Sequence, residues 1–448
     1  MKYHPIDVIK PNLFKGAFPY DEIPKIKFNN IQLPMDLPEE IWITDTTFRD
    51  GQQAMTSMTT EQMVRIYDFL HQMDNGSGII RQTEFFLYSD KDRQAAYRCM
   101  ERGYEFPEIT SWIRANKEDF KLVKSMGIKE TGILMSCSDY HIFNKLGKSR
   151  KEAMNMYLDI AYSAIENGIV PRCHFEDITR ADFMGFVIPL AKNLMAMMED
   201  SGVKVKIRAC DTLGVGVSHP GVELPRSVPG IIHGLRYYGG VPSSSIEWHG
   251  HNDFYGVVTN ATTSWLYGGA SVNTTMFGIG ERAGNTPLEA LVVEYGQLMG
   301  HTKSMDLKVI GEIERYFETD LDYQIPAKTP FVGKEFNVTK AGIHADGLLK
   351  DEEIYNSFDT RSILGKPPLV AINSYSGISS LAYWVNSYYG LSEEEKLTKN
   401  DERLIPMKHE IDRAYEGGRT TNITSEELVR LSGIYIFNEN YNKKEAAM

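Results

Sequence analysis

Between residues 41 and 300 the chain alternates short β-type runs with amphipathic stretches, eight times over. The runs at 41–48, 79–86, 108–114, 130–136, 169–176, 204–211, 244–251 and 271–277 are rich in Ile, Val, Thr and aromatic residues and read as strands. The stretches between and after them (60–73, 91–102, 118–126, 151–167, 181–200, 228–238, 255–267 and 287–299) carry apolar residues at helical spacing. Gly127, Gly168, Gly202 and Gly239 follow four of these helices, where a left-handed cap is expected. Eight β/α units in about 260 residues suit a TIM barrel. A doubly wound open sheet would need a glycine-rich phosphate turn after its first strand. Arg49-Asp50-Gly51-Gln52 is not one.

The predicted fold class is therefore α/β, a TIM (β/α)8 barrel followed by a smaller, mainly helical C-terminal subdomain. Residues 1–40 hold Pro5, Pro11, Pro19, Pro24, Pro34 and Pro38 and read as an irregular arm. The barrel is expected over 41–305, a linker over 306–330, and the C-terminal subdomain over 331–448. Helices are expected there at 352–358, 378–388, 392–413 and 425–432.

Barrels of this kind gather their catalytic groups at the C-terminal ends of several strands. Two motifs fall at such ends. Thr44-Asp45-Thr46-Thr47-Phe48-Arg49-Asp50-Gly51-Gln52-Gln53 puts Asp50 where the first strand opens into a loop. His249-Gly250-His251-Asn252-Asp253 closes the seventh, and histidines one residue apart on a strand share a face. One carboxylate and two imidazoles leave positions on a divalent ion open to substrate. Metal-assisted chemistry is the expectation.

A net charge of −12 argues against nucleic acid as a main partner. No run of about 18 apolar residues reads as a membrane span, and residues 1–11 lack the apolar core of a secretion signal. A cytoplasmic location is expected. Cys99, Cys137, Cys173 and Cys210 are too few for a disulfide framework and read as buried small hydrophobes. The segment from Gly278 to Gly284 imitates a dinucleotide glycine pattern but follows the eighth strand, outside any βαβ context.

Three motifs in order, Asp45 to Gln53, His249 to Asp253 and Gly280-Glu281-Arg282-Ala283-Gly284-Asn285, resemble the DRE-TIM metallolyase superfamily. Within it the chain is similar to the Claisen-condensing branch of 2-isopropylmalate, homocitrate, citramalate and Re-citrate synthases, and most to the last type. The resemblance implies a divalent metal on Asp50, His249, His251 and Asn285, with Mn²⁺ first and Co²⁺, Mg²⁺ or Zn²⁺ as alternatives. It implies acetyl-CoA as substrate, with Arg49 facing the ketone oxygen of a 2-oxo acid. Gln53 and Glu84 match polar positions near the acyl donor and the ligand histidines. Thr212 matches a hydroxyl for the substrate carboxylate, and His141 sits in a loop by the acyl-CoA entrance.

By the same resemblance Glu176 belongs to the acid/base machinery, together with His344 and Tyr355. A partner subunit would supply those two, so the expected assembly is a homodimer with small-molecule substrates. Arg172 precedes Glu176 by four residues, on the same strand face. An arginine fork suits a second carboxylate, which favours oxaloacetate or 2-oxoglutarate over a branched apolar oxo acid. His174 and Phe85-Phe86, bulkier than the homocitrate-synthase pattern, point to the shorter oxaloacetate. A lyase or carboxyltransferase with the same metal site, and a non-catalytic binding barrel, are the competing readings.

Overall fold

Eight parallel strands close into a barrel in the computed structural model, which describes residues 1–437. They are β1 Trp42–Asp45, β2 Ile80–Phe86, β3 Glu108–Ile113, β4 Glu130–Ser136, β5 Val170–Glu176, β6 Lys206–Asp211, β7 Ile246–Gly250 and β8 Ser271–Thr274. Each pairs with its sequence neighbours, and β8 returns to β1 with Asn273 beside Thr44. This is the TIM barrel that the alternation predicts. The helices outside it start where the sequence supplies caps. Thr59 and Gln62 form a reciprocal capping box for Thr60–Asp74, as Ser149 and Glu152 do for Arg150–Glu166.

Strand alternation sorts the side chains into two environments. Phe85, Cys173, Phe175, Ala209, Trp248 and Val272 are buried and face the helical layer. The residues between them (Gln82, Glu84, Arg172, His174, Arg208, Glu247 and Asn273) are equally buried but fill the barrel interior with polar groups. A barrel core is usually built of branched apolar layers. Here it is largely ionic.

The described residues cluster into two compact units, Met1–Asp306 with Tyr316–Tyr323, and Leu307–Arg315 with the chain from Gln324 onward. In the first, the N-terminal arm holds no helix and pairs through an isolated bridge between Phe28 and Val222. Asn193 accepts from the Lys2 and Tyr3 amides, and Arg150 donates to Ile6 O. The second unit packs Leu381, Val385, Leu404, Ile411 and Leu428 into its own core.

Several boundaries differ from the sequence reading. Val309–Asp320 is a helix inside the stretch expected as linker. The helix expected at 352–358 is a single 3₁₀ turn, Glu352–Ile354, and the nearby helix is Gly342–Lys350. The long helix of 392–413 shortens to Leu404–Glu416, because 392–403 breaks into turns. The left-handed residue after Val228–Tyr237 is Gly240 rather than Gly239. No helix among the described residues is long and apolar enough to cross a membrane.

Glu289, buried in the first turn of Leu288–Met299, has a carboxyl pushed up to about 7 by burial, against the hydrogen bond it accepts from Phe277 N. A folded-state value above the unfolded one means stability is fully present below about 4.5 and is lost as pH rises through about 7. The melting temperature should therefore fall between about pH 5 and 8, and Glu289→Gln should flatten that fall. Parallel melting profiles for the two proteins would refute this.

Candidate active site

Asp45, at the end of β1, accepts hydrogen bonds from Thr47 N (3.0 Å), Thr47 Oγ1 (2.6 Å) and Thr83 Oγ1 (2.8 Å). These contacts fix the tight π-helical turn Thr47–Gly51 that carries Arg49 and Asp50. Arg49 donates from Nη2 to Asp50 Oδ2 and from Nε to Glu84 Oε1, both at 2.6 Å. Asp50 Oδ2 lies 3.9 Å from His249 Nδ1, and the His249 and His251 rings are 5.2 Å apart. His251 bridges to Asn285 through the backbone. The Arg282 side chain pins the two loops together through Asp253 (2.8 Å) and Thr212 O (2.5 Å).

A cation fits these residues. His251 Nδ1 and both amide atoms of the Asn285 side chain are buried without a hydrogen-bond partner. Such orphaned polar atoms need an explanation, and an ion is one. A Cβ at Gly280 would collide with the Asn285 carboxamide, so glycine there keeps that cradle open. Burial, helped by the neighbouring His249, pushes His251 down to about 4, leaving the neutral imidazole that a metal binds. Among the described residues no three His, Cys, Asp or Glu side chains are already closed around one point. Asp50 is hydrogen-bonded to Arg49.

Beneath the turn lies Glu84, shared by three guanidinia. Arg49 Nε reaches it at 2.6 Å, Arg208 Nη1 at 3.0 Å, and Arg172 Nη2 also donates to it. Burial raises its carboxyl, but Arg208, Arg172 and Arg49 together hold it well below the usual carboxylate range. Arg172 also donates to Thr110 Oγ1 (3.0 Å) and lies 3.1 Å from Glu130. It is 1% exposed. The fork expected to meet a second substrate carboxylate is thus engaged by Glu84, Thr110 and Glu130 in the ligand-free protein, with its Nε left without a hydrogen-bond partner.

Glu176 ends β5 with Ser136 Oγ, His141 Nδ1 (2.9 Å) and Lys145 Nζ (3.3 Å) on its carboxylate. Burial raises the group, but the His141 hydrogen bond and charge outweigh this and bring it down to about 2. Such a carboxylate orients and charges its neighbours and is a poor proton acceptor. Thr212 Oγ1 accepts from Asp177 N (2.8 Å), tying the end of β6 to the end of β5. Gln53 is exposed on the short turn Gln52–Ala54. His344 and Tyr355 belong to the second unit, where their rings lie 4.4 Å apart.

The motifs do not reveal Arg208, Glu247 and Asn273. Their signal was polar residues at period two in strands that otherwise read as apolar.

A family model described as HMGL-like matches residues 40–316. The chain belongs to the HMGL-like family. Among its relatives, the citrate (Re)-synthase of Clostridium kluyveri is 64% identical over 94% of this chain and 93% of that one. The citrate (Re)-synthase of Syntrophus aciditrophicus is 51% identical over 94% of this chain and 67% of that one. The 2-phosphinomethylmalate synthase of Streptomyces hygroscopicus is 37% identical over 94% and 95%. The barrel of this HMGL-like chain also resembles the solved hydroxymethylglutaryl-CoA lyase of Pseudomonas aeruginosa. There the TM-score is 0.50 and the identity 19%, covering 64% of this chain and 95% of that one. That likeness concerns the fold.

Inside the barrel, a Cβ at Gly132 would lie 2.5 Å from His174 Nε2 and 3.0 Å from Glu84 Oε2. Overpacking of this kind costs about 1–3 kcal/mol, so Gly132→Ala should lose roughly that in urea unfolding. Adding His174→Ser should restore most of it. An additive double mutant would mean the imidazole is not what the methyl group meets.

Proposed function

We propose that the protein is an acyltransferase of citrate (Re)-synthase type, condensing acetyl-CoA with oxaloacetate to give citrate and CoA. The observation that carries the chemistry is the convergence of Arg49, Asp50 and His249 where β1 and β7 open. The 64% identity along nearly the whole chain supports the substrate pair. A divalent cation, Mn²⁺ before Co²⁺, Mg²⁺ or Zn²⁺, held by Asp50, His249, His251 and Asn285 would supply Lewis-acid polarisation of the oxo acid.

The protein's own groups do the rest. Glu84 and Asp50 hold Nε and Nη2 of Arg49, fixing the guanidinium plane, and we assign Nη1 to the ketone oxygen, where negative charge develops. A proton leaves the acetyl methyl as its carbon bonds to the ketone carbon. We assign His344, with Tyr355 against its ring, to receive it from a neighbouring subunit of a cytosolic homodimer. Glu176 acts as a fixed negative charge beside this proton path, with His141 held on it near the acyl chain. The alkoxide left at the former ketone takes up a proton as His344 gives its own to solvent, and water then adds to the thioester carbonyl and breaks the C–S bond, releasing the CoA thiol and a carboxylate. The His174 imidazole above Gly132 and the Arg172–Glu84 pair fill interior volume, which supports the shorter oxaloacetate over 2-oxoglutarate.

Thiol release from acetyl-CoA is expected with oxaloacetate and much less with 2-oxoglutarate, pyruvate or 2-oxoisovalerate. EDTA should stop it and Mn²⁺ restore it. Arg49→Lys should lower kcat by about 10²–10³-fold, as loss of an oxyanion donor does. His249→Ala should abolish turnover in a protein that still folds, as circular dichroism would show. Full activity in EDTA-treated enzyme or in His249→Ala would defeat the reading.

A further inference from the structure

His249 Nδ1 lies 2.7 Å from the Asn273 carboxamide, and the other end of that amide lies 2.9 Å from Thr44 Oγ1. Thr44 Oγ1 in turn contacts Glu247, whose second oxygen accepts Arg208 Nε at 2.6 Å. The strand register makes these neighbours: His249 pairs with Asn273 across β7 and β8, and Thr44 pairs with Asn273 across β1 and β8. Asn273 is 1% exposed, and Thr44 and Glu247 are buried with it.

Donors and acceptors in this chain can be assigned one after another. A carboxylate facing a guanidinium has no hydrogen to give, so Glu247 accepts and the Thr44 hydroxyl donates. With its one hydrogen spent there, Thr44 Oγ1 can only accept from Asn273. The amide NH₂ therefore faces Thr44, and the amide oxygen faces His249. An oxygen at 2.7 Å needs a hydrogen on Nδ1.

We propose that Asn273 is a positioning residue that fixes His249 as the Nδ1–H tautomer, so that its Nε2 lone pair is the one offered to a cation. This rests on the reading of His249 as a metal ligand. A ligand histidine is commonly held by a partner on its other nitrogen, and losing that partner weakens metal binding. The path also runs on. Arg208 reaches Glu84, Glu84 holds Arg49, and Arg49 holds Asp50, which lies 3.9 Å from His249. One closed ring of contacts thus joins two of the candidate ligands.

The test uses the full-length apoprotein labelled with ¹⁵N-histidine. Long-range ¹H–¹⁵N spectra, assigned by comparison with His249→Ala, should show His249 protonated at Nδ1 and not at Nε2. Asn273→Leu, close in size but without the acceptor, should move His249 toward the Nε2–H form. It should also weaken Mn²⁺ binding, read by calorimetry, by about 10–100-fold. Asn273→Asp keeps an oxygen facing Nδ1 and should keep Nδ1 protonated, as Nδ1–H imidazole or as imidazolium, which a packing role alone would not require. Should Asn273→Leu fail to fold, Thr44→Val frees the amide to turn over and should give a mixture of tautomers. Nε2–H in the wild type, or unchanged Mn²⁺ affinity in folded Asn273→Leu, overturns the proposal. A wild type that binds none of Mn²⁺, Co²⁺, Mg²⁺ and Zn²⁺ removes the metal reading itself, a failure visible in calorimetry and independent of the tautomer spectrum.

Discussion

One buried carboxylate, Glu84, holds the interior of this barrel together. Three guanidinia converge on it from β5, β6 and the turn after β1. Each alone would be a charge with no solvent, and so would the carboxylate. Taking one partner from a buried pair costs about 3–5 kcal/mol, because the other is left uncompensated. The cluster therefore persists as a unit. Its consequence at the surface of the barrel is that Arg49, held at 2.6 Å by Glu84, cannot wander from Asp50. Fixing the guanidinium before substrate arrives is the preorganisation that makes a charge useful to a developing oxyanion.

The backbone follows a different logic from this ionic interior, which explains what the sequence did and did not disclose. The eight strands were legible because half of their residues, such as Val272, Trp248 and Phe175, face the helices and are apolar. The strand-end motifs were legible because Asp50, His249 and His251 are dense in ligand chemistry. Asn273, Glu247 and Arg208 were not, because each alone looks like an ordinary polar residue. Their meaning depends on register, and register between β7, β8 and β1 is a property of the closed barrel. The C-terminal helices expected at 378–388 and 425–432 are present, but the one expected from 392 was misplaced for a related reason. The charged run after Tyr389 has helical composition, yet it turns at 392–403. Its Ser, Glu and Lys side chains bond within three residues of one another rather than continuing the helix.

Arg172 shows how residue identity and residue availability separate. An arginine four positions before Glu176 has the reach and charge to bind a carboxylate, and the strand parity points it inward. What parity cannot reveal is that Glu84 and Glu130 point inward too, at distances that already neutralise it. A substrate carboxylate would have to compete with Glu84 for that fork in a place where water cannot screen the exchange.

The same reasoning bears on Glu176. A residue placed in acid/base machinery by its position in a motif is usually imagined to carry the proton. Here a histidine, a lysine and a serine hydroxyl all stabilise its anion, bringing the carboxyl down to about 2 despite burial. At neutral pH it is a poor place for a proton to rest, but an effective place for a positive charge to stand beside. An imidazole that gains a proton next to it is stabilised without the carboxylate ever being protonated, and a fixed anion needs no reorganisation when that happens. Glu176 and Glu84 are thus two carboxylates held negative by their neighbours, one by His141 and Lys145 and the other by Arg49, Arg172 and Arg208.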